Sequence, residues 1–278
     1  MLNALQEANM LINQLAGCMA PNPVQPADEK VFVGVDIGTA NVVSVAVDST
    51  GRPLAGEITA ARVVREGMVT DYQGAINIVR SQIQSLSQRL RIDICKGASA
   101  IPPGTESGNQ KVTQYILEAA NLEVTNIIDE PTAASLVLGI HEGVVVDIGG
   151  GTTGISVLQG GEVIYTADEP TGGFHLDLVI AGNFGISTEE AEIKKLDPKQ
   201  QSALFPVIRP VFEKMASIVR RHLDHLDGYN PSALYLVGGT CSYPGLDYVV
   251  QQETGFPVYV PKLPHLVTPL GIALTFKE

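Results

Sequence analysis

Two aspartates, each at the tip of a short apolar run and each followed by glycine and a hydroxyl, are the residues best placed to do chemistry. The more distinct is Asp147, in Val144-Val-Val-Asp147-Ile-Gly149-Gly150-Gly151-Thr152-Thr153-Gly154-Ile-Ser-Val-Leu158. The apolar run reads as a buried strand, and after the turn the pattern returns to strand instead of entering a helix. Glycines in such a turn permit positive φ and bring backbone N–H groups close to a bound anion. A carboxylate at the same place repels a phosphate unless a cation lies between them, so the pairing indicates a metal-bound polyphosphate. An ordinary hairpin turn is the competing reading, but three glycines after an aspartate exceed what a turn needs. The stretch satisfies G-x-G-x-x-G from Gly149 to Gly154. A dinucleotide site needs that motif to open a helix, whereas Ile155 to Leu158 alternates as a strand before Gly160-Gly161. No G-x-x-x-x-G-K-[ST] occurs, which removes a P-loop.

The pattern occurs twice. Val31-Phe-Val-Gly-Val-Asp36-Ile37-Gly38-Thr39-Ala-Asn41, followed by Val42 to Val47 and a turn at Asp48 to Gly51, repeats the order strand, aspartate, glycine turn, strand, turn. Superposing Asp36 on Asp147 takes one residue of offset in the following strand. Such duplication indicates two hairpins that face each other and hold a phosphate chain and its metal from both sides.

Several elements must position these turns. Arg62 to Asp71 reads as a strand and turn, and Ile76, Val79, Ile83, Leu86 and Leu90 form a one-face helical stripe. Gly97 to Ile101 is a small-residue strand with Pro102-Pro103-Gly104-Thr105 as its exit, and a helix follows from about Gln110 to Ala120. Val124 to Ile128 feeds a strand into Asp129-Glu130-Pro131-Thr132, and an apolar helix runs from Ala133 to Ile140. Glu130, before a proline that opens a helix, fits either capping or catalysis. Thr171-Gly172-Gly173-Phe-His175 precedes a helix whose N-terminus could meet phosphate, with His175 as a cap or surface residue. Ser187 to Lys195 has the signature of a capping box. A long helix from about Pro210 to Leu226 buries Val211, Met215, Ile218, Val219 and Leu223. Ala233 to Val237 is a buried strand ending in Gly238-Gly239-Thr240, where a backbone without side chains lets a flat base lie close. Pro257 to Val260 is a last short strand, and Pro269 to Ala273 opens the final helix.

Ahead of all this, Leu2, Leu5, Ala8, Leu11, Ile12 and Leu15 make an amphipathic helix, followed by a linker stiffened by Pro21, Pro23 and Pro26. A helix this short is marginal in water and must dock on its own domain, a sister chain or a partner. The layout of helix, linker and core leads us to expect a docking helix for a partner, outside the core.

With 278 residues, 45% hydrophobic, the chain has ample apolar material for a packed core. Its net charge of −12 argues against nucleic acid or anionic membrane as the main partner. Cys18, Cys95 and Cys241 are too widely spaced for a zinc site and read as reduced thiols. No apolar stretch is long enough to span a membrane, and the N-terminus lacks a signal-peptide pattern, so a cytoplasmic protein is expected.

The two Asp-glycine hairpins, Asp129-Glu130-Pro131-Thr132 and Leu236-Val-Gly238-Gly239-Thr240 together resemble the actin-like ATPase superfamily, which includes heat-shock chaperone ATPase domains and the bacterial rod-shape actin homologue. Within it, Pro102 to Thr105, Ala167-Asp168-Glu169 with Thr171-Gly172-Gly173, and Ile186 to Glu192 resemble the EutJ family of ethanolamine-utilisation proteins. That family is described as chaperone-like and is encoded with a coenzyme-B12-dependent ammonia-lyase and a bacterial microcompartment. The resemblance implies an α/β fold of two similar lobes, duplicated ribonuclease-H-like sheets, around a nucleotide cleft. The expected division is a helix and linker at 1–29, a first lobe at 30–142 and a second at 143–278.

It further implies ATP or ADP with Mg²⁺. Asp36 and Asp147 would hold the metal through its waters. Amides around Gly38-Thr39-Asn41 and Gly149-Gly150-Gly151-Thr152-Thr153 would cradle the phosphates, with the Thr39 and Thr152 hydroxyls donating to them. Glu130 would orient the attacking water; Glu192 and Lys195 would contact ribose and adenine. Gly172, Gly173, Gly238, Gly239 and Thr240 would complete the nucleotide site. The lysine that heat-shock ATPases place beside the terminal phosphate has no counterpart here, so slow hydrolysis is expected. A scaffold that binds ATP without turnover and a small-molecule kinase are the alternatives.

Overall fold

The computed structural model describes residues 2–19, 30–65, 67–226 and 228–277; the linker prolines at 21, 23 and 26 lie outside the described residues. Helix α1 (Leu2–Cys18) precedes β1 (Val31–Ile37), β2 (Asn41–Asp48) and β3 (Pro53–Ala60). A small hairpin, β4 (Val64–Arg65) and β5 (Met68–Val69), leads to α2 (Tyr72–Leu90), β6 (Lys96–Ile101), α3 (Ser107–Ala119) and β7 (Glu123–Asp129). These strands form a sheet in the order β3-β2-β1-β6-β7, antiparallel through the first three and parallel thereafter. After α4 (Glu130–Leu138) come β8 (Gly143–Ile148), β9 (Thr153–Gln159), β10 (Glu162–Glu169), α5 (Phe174–Phe184), α6 (Thr188–Leu196) and α7 (Pro198–Asp224). The chain closes with β11 (Leu234–Val237), α8 (Leu246–Thr254), β12 (Val258–Tyr259) and α9 (Val267–Leu274). The second sheet runs β10-β9-β8-β11-β12, with the same sequence of antiparallel and parallel pairings. Asp36 and Asp147 thus lie near the C-terminal ends of the two central strands.

Local chemistry sets the helix limits. The Asp71 carboxylate accepts from the Gly74 N–H at 2.8 Å to start α2, whose stripe from Ile76 to Leu90 packs on the first sheet. Helix α7 begins at Pro198, well before the start expected near Pro210, and contains Pro206 and Pro210. Each internal proline removes one backbone bond, but Leu204, Ile208 and Phe212 are buried on the same face and keep the segment helical.

The two halves join where α9 crosses α4 and packs on β1. A Cβ at Gly271 would lie 1.9 Å from the Ala133 carbonyl oxygen, and one at Gly34 would lie 2.3 Å from the Ala273 nitrogen. Only side-chain-free positions allow these approaches. Helix α1 closes over the same seam. Its Ala8, Ile12 and Leu15 are buried with Val43, Val45 and Val47 of β2, Leu138 of α4, Tyr235 of β11 and Leu270 of α9. Asn9 accepts from the Lys262 backbone N–H at 2.6 Å, and Arg89 donates to the Cys18 carbonyl at 2.8 Å. The expected docking helix outside the core is therefore corrected: its stripe is used within its own chain. Leaving Ile12 and Leu15 exposed would cost about 1.5–3 kcal/mol each, and the groove between the halves removes that cost. Among the described residues, no helix is long and apolar enough to cross a membrane.

Candidate functional site

The glycine turn after Asp147 is held by its carbonyls. The Gly149 carbonyl accepts from the Gly173 N–H at 2.9 Å and from the Thr240 hydroxyl at 2.8 Å, and the Gly150 carbonyl accepts from the Phe174 N–H at 2.8 Å. In a trans peptide the next N–H points opposite to its carbonyl. The Gly150 and Gly151 N–H groups are thereby turned away from α5, toward the first turn. Gly172 packs on this loop so closely that a Cβ would lie 2.7 Å from the Gly151 carbonyl carbon. The Thr153 hydroxyl is spent on the Thr171 carbonyl at 2.6 Å.

The first turn faces the second. The Gly38 N–H bonds the Asn41 carbonyl at 3.0 Å, which pins the turn, and Cβ atoms built on Gly150 and Gly151 would meet Thr39 at 3.4 and 2.7 Å. Between the turns lies a cavity of about 130 Å³ lined by Asp36, Glu130, Asp147, Thr39, Thr152 and Gly238, among others. Gly38, Asn41, Gly149, Gly150, Gly151 and Gly239 line it as well. Gly238 has φ +90°, and a Cβ there would lie 2.3 Å from Asp147 Oδ1, so glycine is required.

Electrostatics make this cavity unusual. Burial pushes Asp36 up to about 7, with Asp147 adding to the rise. Burial also raises Asp147, to about 6, although the Thr268 hydroxyl bonds its carboxylate and opposes the shift. Glu130 is raised well above the usual carboxylate range by burial, then by Asp147, Asp36 and Asp168. Among the described residues that line the cavity there is no lysine or arginine, and the His265 imidazole there is biased toward neutrality by burial. Three clustered carboxylates, with no cationic side chain among the described lining residues, repel one another and favour their neutral forms until a cation offsets the charge.

The capping alternative for Glu130 is resolved by its neighbour. Asp129 caps α4, accepting from the Thr132 N–H at 2.9 Å and from the Ser156 hydroxyl at 3.1 Å. Glu130 occupies the first helical turn with its carboxylate free to face the two aspartates.

Other expected contacts lie elsewhere. Lys195 is paired with Asp177 at 2.8 Å and donates to the Gly173 carbonyl. Glu192, with Glu189, is paired across the halves with Arg62 at 2.8 and 3.0 Å. Neither Glu192 nor Lys195 lines the cavity, and nor do Thr153, Gly172, Gly173 or Thr240, which instead fix the second turn. The α5 N-terminus is likewise corrected as a phosphate donor, because its first amides already bond the glycine loop. Thr268, which no motif singled out, and Asp168, to which its motif gave no role, are further functional candidates. Thr268 is brought to Asp147 across 121 residues of chain, a contact with no local signal.

The cavity combines hydrogen-bond donors with carboxylates. Among the described residues, the N–H groups of Thr39, Ala40, Gly150 and Gly151 meet no acceptor, which leaves four donors around a cluster of raised carboxylates. Among the same residues, no group of three or more His, Cys, Asp or Glu is arranged as a direct metal shell. Mg²⁺ usually keeps several waters and takes few protein ligands.

Comparison with known proteins is consistent with this architecture. The family model of the type IV pilus assembly protein PilM matches residues 110–266, and that of MreB/Mbl matches residues 32–184. Ethanolamine utilization protein EutJ of Salmonella typhimurium is 41% identical over 272 residues, 97% of this chain and 91% of the relative. The crystal structure of EutJ from Carboxydothermus hydrogenoformans superposes with a TM-score of 0.90 at 43% identity, covering 97% of this chain and 98% of that one. MreB 5 of Spiroplasma citri bound to AMPPNP shares the fold, with a TM-score of 0.70 at 16% identity, covering 88% of this chain and 95% of that one.

Proposed function

Because the chain belongs to the family of the ethanolamine utilization protein EutJ, within the actin-like ATPase superfamily, we propose that it binds Mg·ATP between its halves and hydrolyses it slowly. In this reading it is a cytoplasmic, chaperone-like or assembly factor for an ethanolamine-utilisation enzyme, the ammonia-lyase, or for a bacterial microcompartment. The observation that carries the ATP reading is one cleft containing, among the described residues, three raised carboxylates, four unsatisfied amides and no cationic side chain. The AMPPNP complex of the Spiroplasma MreB supports it at the level of the fold. The matching strand orders support reading the halves as duplicated ribonuclease-H-like lobes, 30–142 and 143–278.

The Thr39, Ala40, Gly150 and Gly151 amides bind phosphate oxygens without any reorganisation, since their directions are fixed by the loop bonds. Bound Mg²⁺ supplies charge neutralisation along the phosphate chain. Asp36 and Asp147 would hold the ion through its waters, and Thr268 holds Asp147 in place. Glu130 accepts from the attacking water and orients it. The cavity of about 130 Å³ suits the phosphate end, with the nucleoside extending beyond it.

The lack of a lysine or arginine in the lining favours slow turnover, and for the same reason favours the second reading, a nucleotide-gated scaffold that binds ATP without hydrolysing it. Calorimetry with ATP, in Mg²⁺ and in EDTA, tests the proposal. Binding that requires Mg²⁺ and weakens in Asp147→Ala is expected, and no binding by the native protein ends the reading. Steady phosphate release then separates an ATPase from a scaffold, and phosphate transferred to an added sugar or acid would identify a kinase.

A further inference from the structure

The second hairpin carries a carboxylate that the proposed mechanism does not use. Asp168 lies on β10 opposite Gly154 of β9. Thr152 stands just ahead of β9, two residues before Gly154, and its hydroxyl hydrogen-bonds the Asp168 carboxylate. Gly154 looks toward the first half, since a Cβ there would lie 3.0 Å from Pro131 and 3.4 Å from Pro103. Asp168 Oδ1 is buried without a hydrogen-bond partner among the described residues. A buried carboxylate oxygen left in this state is costly and points to a functional partner. Burial pushes Asp168 up to about 7, and the Thr152 hydroxyl opposes that rise. The other titrating groups that face Asp168 are Asp147, Glu130 and Glu169.

We infer that Asp168 is a positioning residue: its carboxylate accepts the Thr152 O–H and so turns the Thr152 lone pairs into the cleft. This rests on the Mg·ATP reading. Thr152 lines the cavity, and in this arrangement it accepts a hydrogen bond from the water in front of the terminal phosphate instead of donating its own proton to a phosphate oxygen. Thr152 and Glu130 then act as two acceptors on one water, which fixes its remaining lone pair toward phosphorus. A single acceptor leaves the water free to rotate about that bond. Asp168 touches neither water nor nucleotide; it acts through Thr152.

The test uses the full chain with Asp168→Ala, which removes the acceptor, and Thr152→Val, singly and together. The affinity of Asp168→Ala for Mg·ATP stays within about threefold of the native value, while phosphate release falls by about tenfold or more. Thr152→Val loses turnover by a similar factor, and the double variant falls no further, as for two members of one unit. A readout independent of turnover is the Thr152 methyl NMR signal of the ligand-free protein. It shifts near pH 7 in the native chain, where Asp36 and Asp147 also contribute, and the part due to Asp168 is absent in Asp168→Ala. A methyl titration unchanged by Asp168→Ala, or turnover losses that multiply in the double variant, overturns the inference. Failure of the native protein to bind Mg·ATP strikes the nucleotide reading instead, and the methyl titration still decides whether Asp168 holds Thr152. Binding without phosphate release, with the methyl titration altered in Asp168→Ala, upholds the hydrogen bond and overturns its part in turnover.

Discussion

Replacing Asp36 by Asn should stabilise the ligand-free protein above neutral pH and abolish its response to magnesium nucleotide. The folded state raises Asp36 from 3.8 to about 7. A group raised in this way adds stability that is complete below pH 3.8 and lost as the pH climbs through about 7, because the unfolded chain ionises first. The full shift of about three units corresponds to about 4 kcal/mol. Asp36 is only half-buried in a cleft open to water, and screening there reduces the effect to roughly 2 kcal/mol. At about 2.1 cal/mol/K per residue of unfolding entropy, that is roughly 3–4 °C in Tm for a chain of this length. Scanning calorimetry in EDTA at pH 5, 6, 7 and 8 is the assay. The native Tm should fall relative to Asp36→Asn across this range, leaving the variant more stable at pH 8. Addition of Mg·ATP at pH 8 should raise the native Tm and leave the variant nearly unmoved. A variant less stable than the native protein at pH 8, or a difference independent of pH, would refute the reasoning.

Further outcomes follow from individual contacts. Glu130→Gln should retain ATP affinity while phosphate release falls by about 100-fold, measured by coupled phosphate detection. Asp129→Ala removes the α4 cap and should cost about 1 kcal/mol in denaturant unfolding, with a smaller effect on turnover than Glu130→Gln. Thr268→Val should weaken Mg·ATP binding by roughly tenfold at pH 7, as expected for loss of a hydrogen bond to a charged group; calorimetry reads this directly. Ile12→Ala should cost about 2–5 kcal/mol although it lies far from the cleft, because α1 is part of the core.

Much of this was legible in the residues. The Asp-glycine turns, their duplication and the apolar stripes of α2 and α7 are local patterns with periods of two or 3.6, and the structure contains them where the patterns lie. What escaped depends on contacts distant in sequence. Asp129 and Glu130 are adjacent carboxylates at one helix start, and only the fold shows which is spent on the cap. Glu192 and Lys195 stand on a well-formed helix, but Arg62 and Asp177 hold them away from the cavity. Thr268 reaches the site through the placement of α9 and leaves no motif, while Asp168 stands in a motif that gave it no role and meets Thr152 only through the register of β10. The start of α7 was misplaced because two prolines read locally as a helix opening, while buried side chains on both sides of them kept the helix continuous.

The placement of α1 also governs how the chain is made. Asn9 and Lys262 are 253 residues apart in sequence yet bonded, and the groove that receives Ile12 and Leu15 includes Leu270. On the ribosome α1 emerges before every element of its groove, so its apolar stripe waits without its final surface until α9 has been made. Contacts of such long range are slow to form and expose the nascent chain to aggregation meanwhile. Once made, they tie α1 to α9 across both halves, and neither half then completes its packing while the other is missing.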